Sequence, residues 1–268
     1  MKGGNLLLQN MTWKQIEAAA TQDAVILLPV GSIEQHGVHL PLCVDAMIVE
    51  AVALESSRIA AESTRVYVAP TLQYGYSDEH FEYPGVLSLK PNLLLEVYLQ
   101  IITSLYRSGF RRIFILNGHG GNEPVVNLAL MESRSNHLDL LIVGASYWQL
   151  AAEDLAQIQK DPWAGIGHGG EVETALVAHL DPSLVDFSSA MPNQPRWGSP
   201  YLKAGFHKPP AVQVGRRRAD ITVLGHTGNP RLGTPEKGAE MFQIITQRVG
   251  AFIVDFAKWN FPVLSRKR

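Results

Sequence analysis

Four short apolar runs constrain the fold of this chain more than any other feature. They are Ala24–Val30, Val66–Ala69, Arg112–Leu116 and Leu138–Gly144. Each has the length of a β-strand, and its apolar residues follow one another without the alternation expected of a strand with one face in water. Strands buried on both faces are typical of parallel sheets that are covered by helices. The runs therefore predict a mostly parallel central sheet.

Helical patterns separate these runs. Apolar spacing and helix-opening residues predict helices over Asp45–Ala61, Pro91–Arg107, Asn122–Ser135, Glu171–Leu180 and Pro235–Lys258. Thr234 is the expected N-cap of the last helix. Because strands and helices alternate, we expect an α/β fold with helices on both faces of the sheet.

The segment from 181 to 233 is rich in Pro, Gly and Arg. We expect it to consist of loops with a small hairpin near Ile221–Leu224. Such a segment is better explained as an insertion beside an active site than as a second domain. Residues 1–268 are therefore expected to form one domain.

Composition excludes several classes of protein. The 268 residues include 23 Lys and Arg against 25 Asp and Glu, for a net charge of −2. This balance argues against binding nucleic acid through a broad basic face. The single cysteine, Cys43, cannot form an internal disulfide, which fits a reducing compartment. The apolar stretch Leu6–Leu8 is too short for a signal peptide, and no run is long enough to span a membrane. We expect a cytoplasmic protein that binds neither nucleic acid nor membranes.

Candidate metal ligands follow the first predicted strand. Glu34 and His36 stand two residues apart, so an extended backbone places them on one side, and Asp45 begins the next helix. Glutamate, histidine and aspartate at a strand end suit Zn²⁺, Mn²⁺ or a similar ion. The alternative is a polar loop in which Asp45 only caps its helix.

The loop after the third strand favours a metal site. Asn117–Asn122 presents His119 in a turn so rich in glycine that the backbone can pass close to a bound ion. One alternative is a phosphate-binding loop, although the segment lacks the expected spacing and a Lys-Ser/Thr pair. The other alternative is a plain turn with a surface histidine.

The segment from 165 to 174 adds His168 and Glu171 at the start of a predicted helix. Gly165, Gly167 and Gly170 satisfy the dinucleotide-binding spacing, but no strand precedes them. We therefore attribute these glycines to the close packing of a crowded site. The alternative role for Glu171 is electrostatic, because a carboxylate in the first turn is favoured by the helix dipole.

Substrate contacts are expected from the polar and aromatic loop after the second strand and from neighbouring loops. The candidates are Tyr76, His80, Gly120, Gly121 and Trp148. Trp148, like Trp163 and Trp197, has a core or interface role as its alternative. The run Arg216–Arg218 is most simply a solvated charge run, with carboxylate binding as its alternative role.

Taken together, these segments resemble the creatininase (creatinine amidohydrolase) family. The matching stretches are Pro29–Gly37 with Pro41 and Asp45, then Asp78–Ser88, Asn117–Asn122 and His168–Thr174. The resemblance covers most of the chain to about Asp186. It implies a three-layer α/β/α fold, two divalent ions (Zn, Mn or Fe) and hydrolysis of amide-type C–N bonds. It also implies a homo-oligomer, with a hexamer among the assemblies expected.

The resemblance also implies roles for individual residues. Glu34 and His119 would bind one ion, His36 would bind the other, and Asp45 would bridge the two. His168 would transfer protons during catalysis.

One departure from the family pattern bears on the substrate. Enzymes acting on creatinine carry a glutamate two residues after the histidine of Asn117–Asn122, where this chain has Gly121. Relatives with this glycine carry a glutamate three residues after the second-site histidine, which here is Glu171. We therefore expect Glu171 to supply the missing ligand and to take part in catalysis. Relatives of this kind are associated with deformylation, peptide trimming and ring opening, which argues against creatinine itself.

The expected function is hydrolysis of a cyclic amide, formamide or similar small molecule through a metal-activated water. The nearest alternative is a metal-dependent hydrolase that opens a cyclic keto-sugar or keto-inositol. An alternative of another class is a nucleotide-binding oxidoreductase that uses the glycines from 165 to 170. A third is a catalytically silent regulatory subunit.

Overall fold

A four-stranded parallel sheet forms the centre of the molecule. The computed structural model describes residues 6–161, 166–194, 199, 201 and 211–260. The strands are β1 (Val25–Val30), β2 (Val66–Val68), β3 (Arg112–Asn117) and β4 (Leu141–Ser146), in the spatial order β2-β1-β3-β4. All three pairings are parallel, and β1 lies beside β3 from Val25 opposite Arg112 to Val30 opposite Asn117. The predicted parallel sheet is confirmed.

Helices cover both faces of this sheet. The described helices are α1 (Trp13–Ala20), α2 (Val44–Ala60), α3 (Pro91–Arg107), α4 (Glu123–Asn136), α5 (Tyr147–Leu150), α6 (Ala152–Ile158), α7 (Glu171–Leu180), α8 (Arg218–Ile221) and α9 (Pro235–Phe256). One layer contains α2, α7 and α9, and the other contains α1, α3 and α4. The predicted α/β fold and its three layers are therefore confirmed.

Successive residues of β1 supply two separate cores. Val25 and Leu27 pack with the layer of α2, α7 and α9, whereas Ile26 and Leu28 pack with α3 and α4. All four side chains are buried. Because successive side chains of a strand point to opposite faces, an unbroken apolar run is what a sheet covered on both sides requires.

Two local predictions are wrong. The fourth strand begins at Leu141 instead of Leu138, because Asp139 is held in the preceding turn by Tyr106 (2.6 Å) and Arg111 (2.8 Å). The expected hairpin near Ile221–Leu224 does not form: the short helix α8 ends at Ile221, and residues 222–224 belong to no helix or strand. The backbone N–H of Arg217 donates to the Asp220 carboxylate at 2.9 Å, and this contact stabilises the start of that helix.

The topology brings the functional loops to one edge of the sheet. Glu34 and His36 follow β1, and His119 follows the neighbouring strand β3. Ligands of such sheets bind beyond the carboxyl ends of the strands. Among the described helices, none combines the length and the apolar character needed to cross a bilayer.

Candidate metal centre

Acidic and histidine side chains converge at this edge of the sheet. Glu34 and His36 come from the loop after β1, and His119 comes from the loop after β3. Asp45 lies in the first turn of α2, and Glu173 lies in the first turn of α7. All five side chains are buried, with at most 6% of each exposed. Burial of so many ionisable groups in one place is typical of a functional site.

The first group of potential ligands consists of Glu34, Asp45 and His119, whose ligand atoms all lie within 4.8 Å of one another. His119 Nδ1 is 3.1 Å from Asp45 Oδ2, and its Nε2 is 3.3 Å from Glu34 Oε2. The Nε2 also lies 2.9 Å from the backbone carbonyl oxygen of Tyr76. Donation from Nε2 to that carbonyl leaves Nδ1 as a ligand atom and fixes the orientation of the ring.

The second group consists of His36, Asp45 and Glu173, again within 4.8 Å of one another. His36 Nε2 lies 3.2 Å from Asp45 Oδ1 and 3.8 Å from Glu173 Oε2. The Nδ1 of His36 donates to the backbone carbonyl of Glu34 at 3.1 Å, so Nε2 is available as a ligand atom. Asp45 belongs to both groups, one oxygen facing each histidine.

The electrostatics of the cluster favour bound cations. Burial alone would lower the pKa of His36, but the charges of Asp45, Glu173 and Glu34 raise it to about 9. Burial alone would also lower the pKa of His119, but the charges of Glu34 and Asp45 raise it to about 10. Burial raises the pKa of Glu173 to about 7. The positive charge of His36 opposes this shift, and the negative charge of Asp45 adds to it. Without metal, His36 and His119 are protonated, because the neighbouring carboxylates favour positive charge at these positions.

Unpartnered oxygens support the same conclusion. Both carboxylate oxygens of Glu34 and the Oδ2 of Asp45 are buried without a hydrogen-bond partner. A buried carboxylate in that condition is costly unless a proton or a cation compensates it. Carboxylate oxygens and imidazole nitrogens are also the ligands preferred by Zn²⁺ and Mn²⁺. The residues present therefore fit divalent metal ions.

Glu171, which the sequence led us to expect as a ligand and catalytic group, lies elsewhere. Its carboxylate accepts hydrogen bonds from the backbone N–H groups of Lys160 (2.8 Å) and Asp161 (2.6 Å) and is paired with Lys237. Glu173 occupies the cluster instead, near His36. The expectation for Glu171 is wrong, because the two residues project from different sides of α7 and only Glu173 faces the metal centre.

His168 lies at the edge of the cluster, where it forms a third possible ligand group with Glu34 and His36. Its Nδ1 is 3.6 Å from Glu34 Oε1, and its ring packs 4.3 Å from the ring of His36, between centroids. Burial, followed by the charge of Arg218, holds the pKa of His168 well below its ordinary value. A neutral imidazole at this position can accept a proton.

The loop after β2 forms one wall of the centre. His80 is buried, with Nε2 3.3 Å from Glu34 Oε1 and 3.3 Å from Glu79 Oε1. Arg218 donates to the same oxygen of Glu79 at 2.6 Å, so this arginine is paired beside the centre instead of belonging to a solvated charge run. Tyr76 reaches the centre through its backbone carbonyl, which accepts from His119.

The remaining substrate-binding candidates differ in position. Gly120 is exposed, and a side chain there would meet open space. A Cβ at Gly121 would lie 2.4 Å from both His119 Nε2 and the Tyr76 carbonyl, so only glycine fits. Trp148 is buried in the core of the α2, α7 and α9 layer against Tyr147, which agrees with the core role given as its alternative. Trp163 and Trp197 lie outside the described residues.

The glycines before α7 serve close packing. A Cβ at Gly170 would lie 2.8 Å from the backbone oxygen of Thr227, and a Cβ at the neighbouring Gly169, which has φ +60°, would lie 2.6 Å from the backbone oxygen of His36. These contacts agree with the interpretation that these glycines allow a crowded site. Gly165 lies outside the described residues.

Sequence analysis missed Glu173 and Gln35. The sequence pattern favoured Glu171, whereas the residue in the cluster is Glu173, two residues further along α7. Gln35 lies between two candidate ligands, and its buried side chain contacts both His80 and His168. A polar residue flanked by ligands in a loop after a buried strand is the signal that points to Gln35.

Comparison with known proteins agrees with this geometry. A family model described as Creatininase: Creatinine amidohydrolase matches residues 9–253. Creatinine amidohydrolase of Pseudomonas putida is 35% identical over 214 residues, which are 74% of this chain and 80% of that protein. The 3-dehydro-scyllo-inosose hydrolase of Thermotoga maritima is 28% identical, over 95% of this chain and 84% of its own length. A mycofactocin precursor peptide peptidase of Mycobacterium tuberculosis is 29% identical, over 81% of this chain and 79% of its own length.

Solved structures give the same result. A variant creatininase described as Zn-Zn type has a TM-score of 0.79 and 29% identity, covering 94% of this chain and 98% of that one. A structure described as creatininase Mn has a TM-score of 0.78 and 30% identity over the same shares. Since the family model spans most of the chain and the fold agrees throughout, this protein belongs to the creatininase family.

Proposed function

We propose that this creatininase-family amidohydrolase, a metal-dependent enzyme acting on C–N bonds, works with two divalent ions. Glu34, Asp45 and His119 would hold one ion, and His36, Asp45 and Glu173 would hold the other. The observation that carries the proposal is Asp45, whose two oxygens face His119 and His36 at 3.1 and 3.2 Å. A carboxylate shared between two ligand groups is suited to bridge two ions.

The chemistry follows from the groups around the cluster. Bound divalent ions supply a water molecule of lowered pKa and polarise a carbonyl group. His168 Nδ1 lies 3.6 Å from Glu34 Oε1, and burial together with the charge of Arg218 lowers the pKa of His168 and so favours the neutral ring. A neutral imidazole has one nitrogen that can accept a proton. Delivery of that proton to the departing nitrogen would complete cleavage of the amide bond.

The substrate is proposed to be a small cyclic amide, formamide or related compound. Gly121 separates this protein from enzymes that carry a glutamate ligand at this position, because no side chain fits there. The carboxylate is instead supplied by Glu173 from α7. Because that substitution preserves a carboxylate at the second ion, creatinine remains among the compounds to be tested.

A second candidate is opening of a cyclic keto-inositol ring. The relative from Thermotoga maritima, an inosose hydrolase by name, aligns over 95% of this chain. Both candidates use the same metal centre and differ only in whether the bond that breaks is C–N or C–C.

Substrate screening tests the proposal. Protein loaded with Zn²⁺ or Mn²⁺ is incubated with creatinine, other cyclic amides, formamides, short peptides and cyclic keto-inositols, and products are identified by mass spectrometry. We expect an amine and a carboxylate from at least one amide, and we expect a chelator to stop their release. Turnover of keto-inositols alone would favour the second candidate. Turnover that survives complete metal removal would contradict both.

Replacement of His168 by alanine tests its role separately. We expect turnover to fall by about 10²–10⁴-fold, because the proton acceptor is lost. Metal content is expected to stay near that of the wild type, since three other ligands are available to each ion. If His168→Ala loses metal as severely as His119→Ala does, His168 is a ligand and the proposed role is wrong.

A further inference from the structure

Arg218 lies in the wall of the metal centre and uses only part of its guanidinium group. It is the first residue of α8, and its side chain is only 11% exposed. Its Nη2 donates to Glu79 Oε1 at 2.6 Å and lies 3.4 Å from His80 Nε2. Its Nε is buried without a hydrogen-bond partner. Its Nη1 likewise makes no hydrogen bond to a described residue.

The unused donors of Arg218 point to a ligand. A guanidinium group carries five N–H donors in a planar fork, and a buried donor without an acceptor costs free energy. Glu79 accepts from Nη2 through a single oxygen, so it does not fill the fork. Arginine favours planar anions that accept two hydrogen bonds at once, such as a carboxylate. A carboxylate at Arg218 would use donors that the protein leaves unpaired.

The local charge also favours an anion. Burial and the positive charge of Arg218 lower the pKa of Arg216, so the two guanidinium groups lie near each other. Arg216 therefore adds to the positive potential around Arg218. The nearest acidic ligand of the centre, Glu34, would have its charge compensated by a bound metal ion. An anionic substrate group is then attracted to this wall.

Three charged side chains meet at one nitrogen of His80, which places Arg218 beside the metal centre. His80 Nε2 lies 3.3 Å from Glu34 Oε1 and 3.3 Å from Glu79 Oε1. The same nitrogen lies 3.4 Å from Arg218 Nη2. Because Glu34 belongs to the first ligand group, a substrate whose carbonyl is held at that ion has its neighbouring atoms close to Arg218.

We propose that Arg218 binds a carboxylate of the substrate, so that the enzyme acts on amides with a carboxylate next to the bond that is cleaved. This class includes N-acyl amino acids and cyclic amides that carry a ring carboxylate. Hydrolysis of an N-formyl amino acid adds water across the C–N bond and releases formate and the free amino acid. The proposal deepens the proposed function and rests on it for this cleavage step.

The protein holds Arg218 in place before any substrate binds. The hydroxyl group of Tyr83 donates to the backbone oxygen of Thr222, just after α8, at 2.8 Å. Arg217 pairs with Glu82 at 3.3 Å on the exposed side. Both contacts join α8 to the loop that follows β2. A group that is already positioned loses little conformational entropy on binding a ligand, so Arg218 is suited to distinguish substrates.

Paired compounds test the proposal. Full-length, zinc-loaded protein is given N-formylglycine and its neutral amide, and then 5-oxoproline and its neutral amide. In at least one pair, we expect the wild type to prefer the acid by about 10-fold or more in kcat/KM. Arg218→Gln should lower kcat/KM by about 10–100-fold for that acid and by less than about threefold for its amide, because only the acid loses a hydrogen-bonded charge.

Two further variants separate binding of a carboxylate from a structural role. Arg217→Gln removes the same charge from the exposed neighbouring residue and should leave the preference for the acid unchanged. Glu79→Gln keeps an acceptor for Arg218 but removes the competing negative charge, so KM for the acid should fall relative to KM for the amide. If Arg218 only supports the wall, Arg218→Gln will weaken both compounds of a pair equally, and the proposal is overturned.

Calorimetric titration of the same compounds separates this proposal from the wider one. Arg218→Gln should raise the Kd of the acid whether or not the compound is cleaved. If it does and no amide is hydrolysed, the proposed function fails and the role of Arg218 stands. If no acid binds or reacts better than its amide, or if Arg218→Gln keeps the preference of the wild type, the role of Arg218 is wrong. Hydrolysis of the amides would then leave the proposed function intact.

Discussion

Asp45→Asn is expected to reduce activity by about 10³–10⁴-fold, the largest effect of any single substitution considered. Asp45 belongs both to the group of Glu34 and His119 and to the group of His36 and Glu173, with one oxygen facing each histidine. Asparagine keeps the size of the side chain but removes its negative charge and one acceptor oxygen. Both ions would lose an anionic ligand at once, so metal content should fall with activity.

Elemental analysis and turnover are measured on the same preparations. Asp154→Asn is the matched control, because Asp154 pairs with Arg248 at 2.7 Å on the exposed surface of α6 and α9. This control should keep both metal and activity. An Asp45→Asn protein that retains both ions and more than a tenth of wild-type turnover would show that Asp45 is not a bridging ligand.

Glu173→Gln is expected to reduce turnover by about 10²–10³-fold and to weaken the binding of one ion. Glu173 belongs to the group of His36 and Asp45 but not to the group of Glu34, Asp45 and His119. Its removal should therefore spare the ion held by Glu34 and His119. Metal titration followed by elemental analysis should show one tightly bound ion per chain.

Glu171→Gln is the matched comparison for Glu173→Gln, because it removes the neighbouring carboxylate of the same helix. Glu171 is buried and paired with Lys237, so the substitution leaves a partly buried ammonium without its counter-charge. We expect a loss of roughly 3 kcal/mol in the free energy of unfolding, measured by urea denaturation, with metal content unchanged. If Glu171→Gln loses an ion while Glu173→Gln keeps two, the assignment of the two glutamates is reversed.

Local sequence was sufficient for most of the secondary structure. The predicted bounds of α3 and α7 agree with the structure, because proline and glutamate mark helix starts that depend on nearby residues alone. The start of β4 was misplaced because Asp139 is held by Tyr106 and Arg111, which lie 33 and 28 residues away in sequence. Such contacts are not visible in a hydrophobic pattern.

The candidate site was predicted to a similar extent and for similar reasons. Glu34, His36, Asp45 and His119 meet because the carboxyl ends of neighbouring parallel strands share one edge of the sheet. The choice between Glu171 and Glu173 depended on the rotation of α7, since residues two apart in a helix point about 160° away from each other. Lys237, 66 residues further on, pairs with Glu171, and no local pattern reveals that partner.

Gln35 shows a further reason why the site could not be completed from sequence. Its side-chain amide donates to the backbone carbonyl of Gly225, 190 residues away, and no local pattern reveals that contact. Gly225 belongs to the segment from 181 to 233, for which the sequence indicated only loops beside the active site. Within the described part of that segment, Gly225 lies against Gln35 beside the candidate metal centre.

Anomalous diffraction from crystals of the zinc-loaded protein tests the central claim most directly. We predict two zinc peaks per chain, with Asp45 contacting both, Glu34 and His119 contacting one, and His36 and Glu173 contacting the other. Glu171 should remain paired with Lys237. A single peak, no peak, or a second zinc bound by Glu171 in place of Glu173 would contradict the proposed centre.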